Sequence, residues 1–216
     1  PDRNALGLVF ISPGVVANFT CEKPHRGIAL QWFRQDGVLA YLPLPGNRIS
    51  IVWSTDDAHA DELMFLPRDG FCLRVAEAGK GLLGRLELIT PPVAFPLAHL
   101  EVPKRVRPRL ALIGDAAHVV HPLAGQGVNL GFGDARALAT VLQDPGTGRD
   151  PGDFSRLRRF ERARAEDILA MRVMTDLLQR LFRVRRPWVV QLRNLGLNLT
   201  DAVPVIKTML ARRAMS

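Results

Sequence analysis

Short apolar runs separated by turn signals occupy the first hundred residues of the chain, and they predict a β-sheet. Strands are expected at residues 6–11, 15–21, 28–33, 38–44, 48–54, 85–90 and 93–97. Ser12, Pro13 and Gly14 form a turn signal that is expected to end the first strand. The runs between residues 28 and 54 are joined by short turns, so they indicate an antiparallel meander.

Helices are expected at residues 55–63, 67–79 and 153–184 and in the segments that start at Pro187 and Pro204. The first begins with an N-cap candidate followed by acidic residues, and apolar residues recur at intervals near three and four along residues 153–184. Thr55 and Asp153 are the expected N-caps of two of these helices. Residues 101–108 are basic and contain prolines, so a loop is expected there.

Composition and charge narrow the functional classes. The net charge is +8, and the residues from Pro145 onward hold fifteen basic and seven acidic side chains, which accounts for the whole excess. A basic tail of this kind fits nucleic acid, an anionic membrane surface or a solvated helix face. Aromatic residues are not interleaved with the basic ones, so no nucleic-acid partner is predicted. Cys21 and Cys72 lack metal-ligand spacing, so two buried thiols and no metal site are expected.

The candidate chemistry lies in the stretch of residues 109–142. An apolar run at residues 110–113 is expected to form a strand that ends on Gly114 and Asp115. A carboxylate in this position accepts hydrogen bonds from hydroxyl groups but would repel a phosphate. A lone Gly-Asp pair is more often a plain turn, but the full pattern G-D-A-A-H-x-x-x-P-x-x-G-Q-G-x-N is far more specific.

The second half of this stretch predicts a glycine loop followed by a helix that begins near Val128 and Asn129. Gly125 and Gly127 permit an approach of ligand to backbone that a Cβ atom would obstruct. The start of the helix favours an electron-rich oxygen or a developing anion. No Lys-Ser/Thr pair follows the glycines, which argues against a nucleotide P-loop.

The segment GDAAHVVHPLAGQGVNLGFGDARAL closely resembles the second flavin-binding motif of the FAD-dependent aromatic hydroxylases, the class A flavoprotein monooxygenases. The match is closest to the ubiquinone-biosynthesis hydroxylases. QWFRQDGVLAYLPLPGNRISIVWST resembles the substrate-domain meander of that family, and VAFPLAHL resembles its strand ahead of the motif. RRFERARAEDILAMRVMTDLLQRLF and LRNLGLNLTDAVPVIKTML resemble its C-terminal helices.

The resemblance implies an α+β fold that lacks the N-terminal Rossmann-like FAD unit of the family. It divides the chain into a mostly antiparallel substrate-domain sheet at residues 1–108, the second FAD motif at 109–142 and a C-terminal helical region at 143–216. The chain is thus expected to correspond to about the C-terminal half of a hydroxylase. Because the unit that holds the ADP half of FAD is missing, weak or no FAD binding by this chain alone is predicted.

The resemblance also implies a cofactor site. Asp115 would bind the ribityl or pyrophosphate-side hydroxyls of FAD, and the glycine loop would lie along the isoalloxazine ring. The implied cofactor-binding residues are Asp115, Pro122, Gly125, Gln126, Gly127, Val128 and Asn129. No catalytic residue is assigned. His118 and His121 could donate a proton, but ordering of the loop is favoured for His118. Asp134 is expected to support the helix start or to pair with an arginine.

The implied function is hydroxylation of the aromatic ring of a polyprenylated phenol in ubiquinone biosynthesis, with FAD, NAD(P)H as reductant, and oxygen. The alternatives are a flavin hydroxylase for a soluble aromatic acid and a non-catalytic lipid-substrate-binding or assembly domain. Ala40, Leu42 and Leu44 share one face of a predicted strand and are candidate substrate contacts, with plain sheet core as the alternative. Trp32 and Trp53 carry the same ambiguity.

The expected partners follow from the same resemblance. A prenylated aromatic substrate is predicted, and peripheral contact of the C-terminal arginines with an anionic membrane is left open beside a solvated helix face. Self-association and contact with other ubiquinone-biosynthesis proteins are also left open. The expected location is cytoplasmic, peripheral at the inner membrane.

Overall fold

The structure, a computed structural model, describes residues 9–119, 127–144 and 150–183. They form two compact units, one from Phe10 to Leu97 and the other from Ala98 onward. The strands are β1 (Val9–Cys21), β2 (Leu30–Arg34), β3 (Gly37–Leu44), β4 (Arg48–Thr55), β5 (Leu86–Leu88), β6 (Val93–Glu101), β7 (Val106–Arg107), β8 (Leu110–Ala111) and β9 (His118–Val119). The helices are α1 (Asp57–Phe65), α2 (Arg68–Ala78), α3 (Gly127–Gln143) and α4 (Phe154–Arg183). The expected α+β fold with an antiparallel sheet is confirmed.

The first unit is a curled antiparallel sheet with the strand order β2-β3-β4-β1, in which β5 and the start of β6 also lie beside β1. The predicted hairpin at residues 35–37 is confirmed, since Arg34 pairs with Gly37. Burial alternates along β3, where Leu39 and Tyr41 are buried and Leu42 is exposed. One face of the sheet is therefore core, and the other is left more open.

Helices α1 and α2 contribute to the core with the buried face of the sheet. Phe71 of α2 stacks on Phe19 of β1 with ring centroids 5.8 Å apart. The hydroxyl of Tyr41 donates to the carbonyl of Val75 at 2.5 Å, which satisfies the polar tip of a buried ring. Cys21 is buried in this cluster, and its burial raises the pKa of its thiol, which fits a structural thiol.

Three sequence expectations are wrong in this part of the chain. The turn signal at Ser12 to Gly14 lies inside β1, because Pro13 stands one residue before the ladder to β4 begins and breaks none of its bonds. Asp56, not Thr55, caps α1, since its side chain accepts a hydrogen bond from the backbone of His59 at 2.8 Å. The expected loop at residues 101–108 contains β7, which pairs with β8.

The second unit packs α3 against α4, with β7 alongside α4. Its core contains Val106, Val141, Leu157 and Phe160. Asp153 is confirmed as the cap of α4, because its carboxylate accepts hydrogen bonds from the backbone of Ser155 at 2.7 Å and from its hydroxyl at 2.6 Å. The helices expected after Pro187 and Pro204 lie outside the described residues. Among the helices that are described, none is long and apolar enough to cross a membrane.

Candidate functional site

Asp115 lies in a single 3-10 turn, Gly114–Ala116, between β8 and β9. The strand ahead of it is shorter than expected, because only Leu110 and Ala111 pair with β7. Gly114 has φ of +58°, a left-handed conformation that glycine adopts without the strain of a Cβ atom. The side chain of Asp115 is exposed, so its carboxylate is available to a ligand.

The backbone of this turn is hydrogen-bonded to Asp134 of α3, which is only 1% exposed. One carboxylate oxygen of Asp134 accepts the backbone N–H of Gly114 at 2.9 Å and lies 2.7 Å from Nε2 of His118. The other oxygen accepts Nε of Arg164, on α4, at 2.8 Å. One buried carboxylate therefore joins the Gly-Asp turn, β9 and both long helices.

The charge of Asp134 is stabilised where it lies. Burial raises the pKa of this carboxyl group, but hydrogen bonds from His118, Arg164 and the backbone of Gly114 outweigh it and hold the pKa at about 2. Asp134 therefore remains ionised at neutral pH. Neither Asp134 nor His118 (4% exposed) reaches the surface, which agrees with the expected supporting roles of both residues rather than with substrate contact.

The Gly-Asp turn lies directly on α3. A Cβ atom built on Gly131 would lie 3.5 Å from the Cα of Gly114, an ordinary van der Waals distance, so the two glycine backbones face each other at this point. This contact sets the turn that carries Asp115 against the second turn of the helix. Gly114 and Gly131 are both part of the sequence motif, but their contact is visible only in the folded chain.

Helix α3 begins at Gly127, which agrees with the predicted start. Val128 is 66% exposed and Asn129 is also exposed, whereas Leu130 is buried. A Cβ atom on Gly127 would meet none of the described residues within 4 Å. Pro122, His121, Gly125 and Gln126 lie outside the described residues, and their assignments stay predictions.

Several arginines of α4 secure α3 instead of forming a solvated face, which sequence reasoning missed. Arg156 is 4% exposed and donates to the carbonyls of Leu142 at 2.8 Å and Asp144 at 3.0 Å, at the end of α3. Arg159 pairs with the carboxylate of Asp144 at 2.7 Å. Cations at the C-terminal end of a helix are favoured by its dipole, and this preference is the signal that could have indicated the role.

The candidate substrate residues Ala40, Leu42 and Leu44 lie on the open face of the first unit's sheet, as the alternation predicted. Leu42 is 42% exposed, and Ala40 and Leu44 are half-buried. The two tryptophans, in contrast, lie on the core side of the sheet. Trp53 is fully buried, and Trp32 packs edge-on against Tyr41. Contact of the three open-face residues with a substrate stays a prediction.

Residues 79–84, GKGLLG, match the G-x-G-x-x-G spacing of dinucleotide-binding loops but not their structural context. They follow helix α2 and lead into β5, whereas that loop joins a strand to a helix. Gly79 is explained by packing, since a Cβ atom there would lie 2.2 Å from the hydroxyl of Tyr41. This segment is therefore no phosphate-binding loop.

The described residues fit one part of a flavin site. Asp115 is an exposed acceptor suited to sugar-chain hydroxyls, and it lies on a turn packed against α3. Val128 in the first turn of α3 is 66% exposed, and helix N-termini favour electron-rich groups. Both features are anchored by a rigid, buried network, which is what precise placement of a cofactor requires.

Comparison with known proteins gives the same assignment. The family described as FAD binding domain (FAD_binding_3) matches residues 93–172. Human mitochondrial ubiquinone biosynthesis monooxygenase COQ6 is 36% identical over 95% of this chain and 52% of its own length. Ubiquinone hydroxylase UbiL of Rhodospirillum rubrum is 35% identical over 93% of this chain and 47% of its own length.

A solved structure extends the likeness to the fold. The structure of pqsL from Pseudomonas aeruginosa, a probable FAD-dependent monooxygenase, superposes with a TM-score of 0.60 at 25% identity, over 81% of this chain and 49% of that protein. The chain spans about half the length of the curated relatives that it matches. Over that matched length, the chain is related to the ubiquinone-biosynthesis monooxygenases, and its residues 93–172 match the FAD binding domain family.

Proposed function

We propose that the protein containing this chain hydroxylates the aromatic ring of a polyprenylated phenol in ubiquinone biosynthesis, using FAD, NAD(P)H and oxygen. The observation that carries the proposal is the placement of exposed Asp115 on a turn fixed against α3 by buried Asp134, within the FAD-domain match. The names of the relatives COQ6 and UbiL supply the substrate class. When bound, FAD supplies the oxygen-activating redox chemistry, which protein side chains cannot perform.

The residues of this chain would bind and orient the cofactor. Asp115 would accept hydrogen bonds from hydroxyl groups of the sugar chain, and the start of α3, at Val128 and Asn129, would hold the electron-rich edge of the ring system. Asp134 holds the turn against the helix, because its carboxylate, on α3, accepts a hydrogen bond from the backbone N–H of Gly114. Pro122, Gly125 and Gln126, which the sequence motif adds to the site, would hold the cofactor along its ring.

The open face of the first unit's sheet supports an apolar substrate. Ala40 pairs across the sheet with Val52, which pairs in turn with Val16, so an apolar row crosses three strands. Direct neighbours in an antiparallel sheet lie on the same face, and this row is only partly buried. A surface of this kind suits a prenyl chain or a phenol ring better than a carboxylate. We assign Ala40, Leu42 and Leu44 to substrate contact on this basis.

The test is hydroxylation by the full reading frame that includes this chain, loaded with FAD and supplied with NAD(P)H. Hydroxylated product from a short-chain prenylated phenol, and none from an aromatic acid, is the expected result. The Leu42→Gln variant should raise KM for the phenol with little effect on kcat. The control is Phe65→Gln on α1, which replaces a side chain that is 87% exposed and should leave KM unchanged. Hydroxylation of the acid but not of the phenol would overturn the proposed substrate class.

The proposed location is cytoplasmic and peripheral at the inner membrane, where prenylated substrates reside. Self-association and contact with other ubiquinone-biosynthesis proteins stay predictions. Fractionation of cells that express the full reading frame tests the location, since release of the protein from membranes by high salt distinguishes a peripheral electrostatic contact from none.

A further inference from the structure

A basic groove in the second unit has no role in the proposed flavin site. It lies between the segment that precedes β7 and the first turns of α4, and it has a volume of about 380 Å³. We name it the basic groove and define it by Pro103, Lys104, Arg105, Phe154, Arg158 and Arg162. Glu161, the acidic residue that also lines it, is mostly buried.

The positive charge of the groove is poorly compensated within the protein. Glu161 uses one carboxylate oxygen for the backbone N–H of Arg105 at 3.0 Å and the other for Arg158 at 3.1 Å. Among the described residues, no carboxylate pairs with the side chains of Lys104, Arg105 or Arg162. Four cations and one carboxylate leave a net charge of three positive units in one concave surface.

This surplus contrasts with the other arginines of the same helix. Arg156, Arg159, Arg164 and Arg172 each bond to a carbonyl or carboxylate of the second unit. Their charges are accounted for by packing of α4 against its neighbours, whereas Arg162 has no carboxylate partner among the residues that the structure describes. Clustered, uncompensated cations in a cleft attract an anion, and guanidinium groups match the geometry of a phosphate.

The apolar part of the lining indicates the source of that phosphate. Two exposed apolar side chains line the groove, Phe154, which is 45% exposed, and Pro103. A soluble phosphate would use only the cations, whereas a phospholipid at a membrane surface would meet cations with its head group and apolar side chains with its hydrocarbon. Aromatic side chains are also favoured at the membrane interface.

We propose that the basic groove binds the phosphate head group of anionic phospholipids and holds this protein at a membrane surface. The choice of a lipid over a soluble phosphate rests in part on the proposed function, because a polyprenylated substrate resides in the membrane. The groove itself requires no flavin, so its binding can be measured separately from hydroxylation.

The test is flotation of the purified chain with vesicles of phosphatidylcholine, with and without phosphatidylglycerol. The groove variant Arg105→Gln/Arg162→Gln is compared with Lys23→Gln/Arg85→Gln, which removes the same charge from exposed positions of the first unit. Binding should require phosphatidylglycerol and should weaken about 25-fold in the groove variant, since each of the two cations near an anionic surface contributes about fivefold. The control variant should bind like the unaltered chain.

Three results would overturn the proposal. The first is an absence of binding to phosphatidylglycerol vesicles, and the second is an equal loss in both variants, which would indicate diffuse charge. The third is release of the chain from vesicles by inorganic phosphate or NADPH at equal ionic strength, which would assign the groove to a soluble phosphate. The full reading frame with the same two groove substitutions is also assayed on a water-soluble phenol analogue. If it hydroxylates this analogue at the normal rate, a loss of vesicle binding does not contradict the proposed function.

Discussion

The carboxylate of Asp134 lies 2.7 Å from Nε2 of His118, and both side chains are almost completely buried. The two residues stand sixteen positions apart, one in α3 and the other in β9. The same carboxylate holds the backbone of Gly114 and the guanidinium of Arg164. The turn that presents Asp115 is thus fixed by a charged network beneath it, and disruption of this network should affect stability before it affects any surface property.

Replacement of Asp134 by Asn should lower the free energy of unfolding by about 3 kcal/mol, because it leaves Arg164 without its buried partner. The matched control is Glu62→Gln, which breaks an exposed pair with Arg74 and should cost less than about 1 kcal/mol. Urea denaturation of the purified chain measures both. Similar losses in the two variants would contradict a supporting role for the buried network.

The network also predicts how stability depends on pH. The pKa of Asp134 is held at about 2, below its ordinary value of 3.8. The ionised group therefore stabilises the folded state above about pH 4, and this contribution of about 2 kcal/mol is lost as the pH falls from about 4 to about 2. The stability difference between the unaltered chain and Asp134→Asn should narrow over that interval. A difference that stays constant down to pH 2 would show that Asp134 is not the group responsible.

Two glycines of α3 should respond in opposite directions to replacement by alanine. A Cβ atom on Gly131 would make an ordinary contact of 3.5 Å with Gly114, so the variant should gain up to about 1 kcal/mol from helix propensity. A Cβ atom on Gly133 would lie 2.7 Å from a guanidinium nitrogen of Arg164, which Asp134 holds in place. Displacing this side chain should cost about 1–3 kcal/mol.

Thermal denaturation of Gly131→Ala and Gly133→Ala, followed by circular dichroism, tests this contrast in a single helix. Because the two changes add the same methyl group to the same element, their intrinsic helix propensities cancel in the comparison. A Gly133→Ala variant as stable as Gly131→Ala would mean that Arg164 moves aside without loss.

Arg156 and Arg159 form a second matched pair, both at the end of α3. Arg156→Ala should cost about 3 kcal/mol, because it removes a buried side chain and two charged hydrogen bonds to carbonyls at the end of α3. Arg159→Ala should cost less than about 1 kcal/mol, because its partner Asp144 is accessible to water and its own side chain is 44% exposed. Chemical denaturation measures both, and a reversed order of losses would contradict the capping role of Arg156.

Local signals predicted much of the fold. The hairpin at Gly37 and the cap at Asp153 depend on residues adjacent in sequence, so turn and capping preferences were sufficient to find them. The expected turn at Pro13 failed because pairing of β1 with β4 begins one residue later, a tertiary fact that no local pattern contains. Strand ends were shifted for the same reason.

The sequence predicted which residues form the candidate site but not the buried contacts that hold them in place. The motif places Asp115 and the start of α3 close in sequence, and the expected helix start was confirmed. The partners of Asp134 are sixteen, twenty and thirty residues away, so only the folded chain brings them together. The roles of the α4 arginines were missed because a basic helix face resembles a solvated surface until its partners are known.

The final prediction concerns FAD and this chain alone. The described part of the site offers Asp115 for sugar-chain hydroxyls and the start of α3 for the ring, while the G-x-G-x-x-G spacing at residues 79–84 has the wrong structural context for a pyrophosphate. We therefore expect the purified chain to carry no stoichiometric flavin and to bind added FAD weakly.

Quenching of flavin fluorescence, with the absorbance of the purified protein, measures this. The full reading frame that includes this chain serves as the positive control. Its Asp115→Ala variant should bind FAD at least about tenfold more weakly, since it loses charge-assisted hydrogen bonds to the sugar chain. Tight flavin binding by the chain alone would show that the Gly-Asp turn and α3 suffice to hold the cofactor. Unchanged affinity in Asp115→Ala would remove Asp115 from the site.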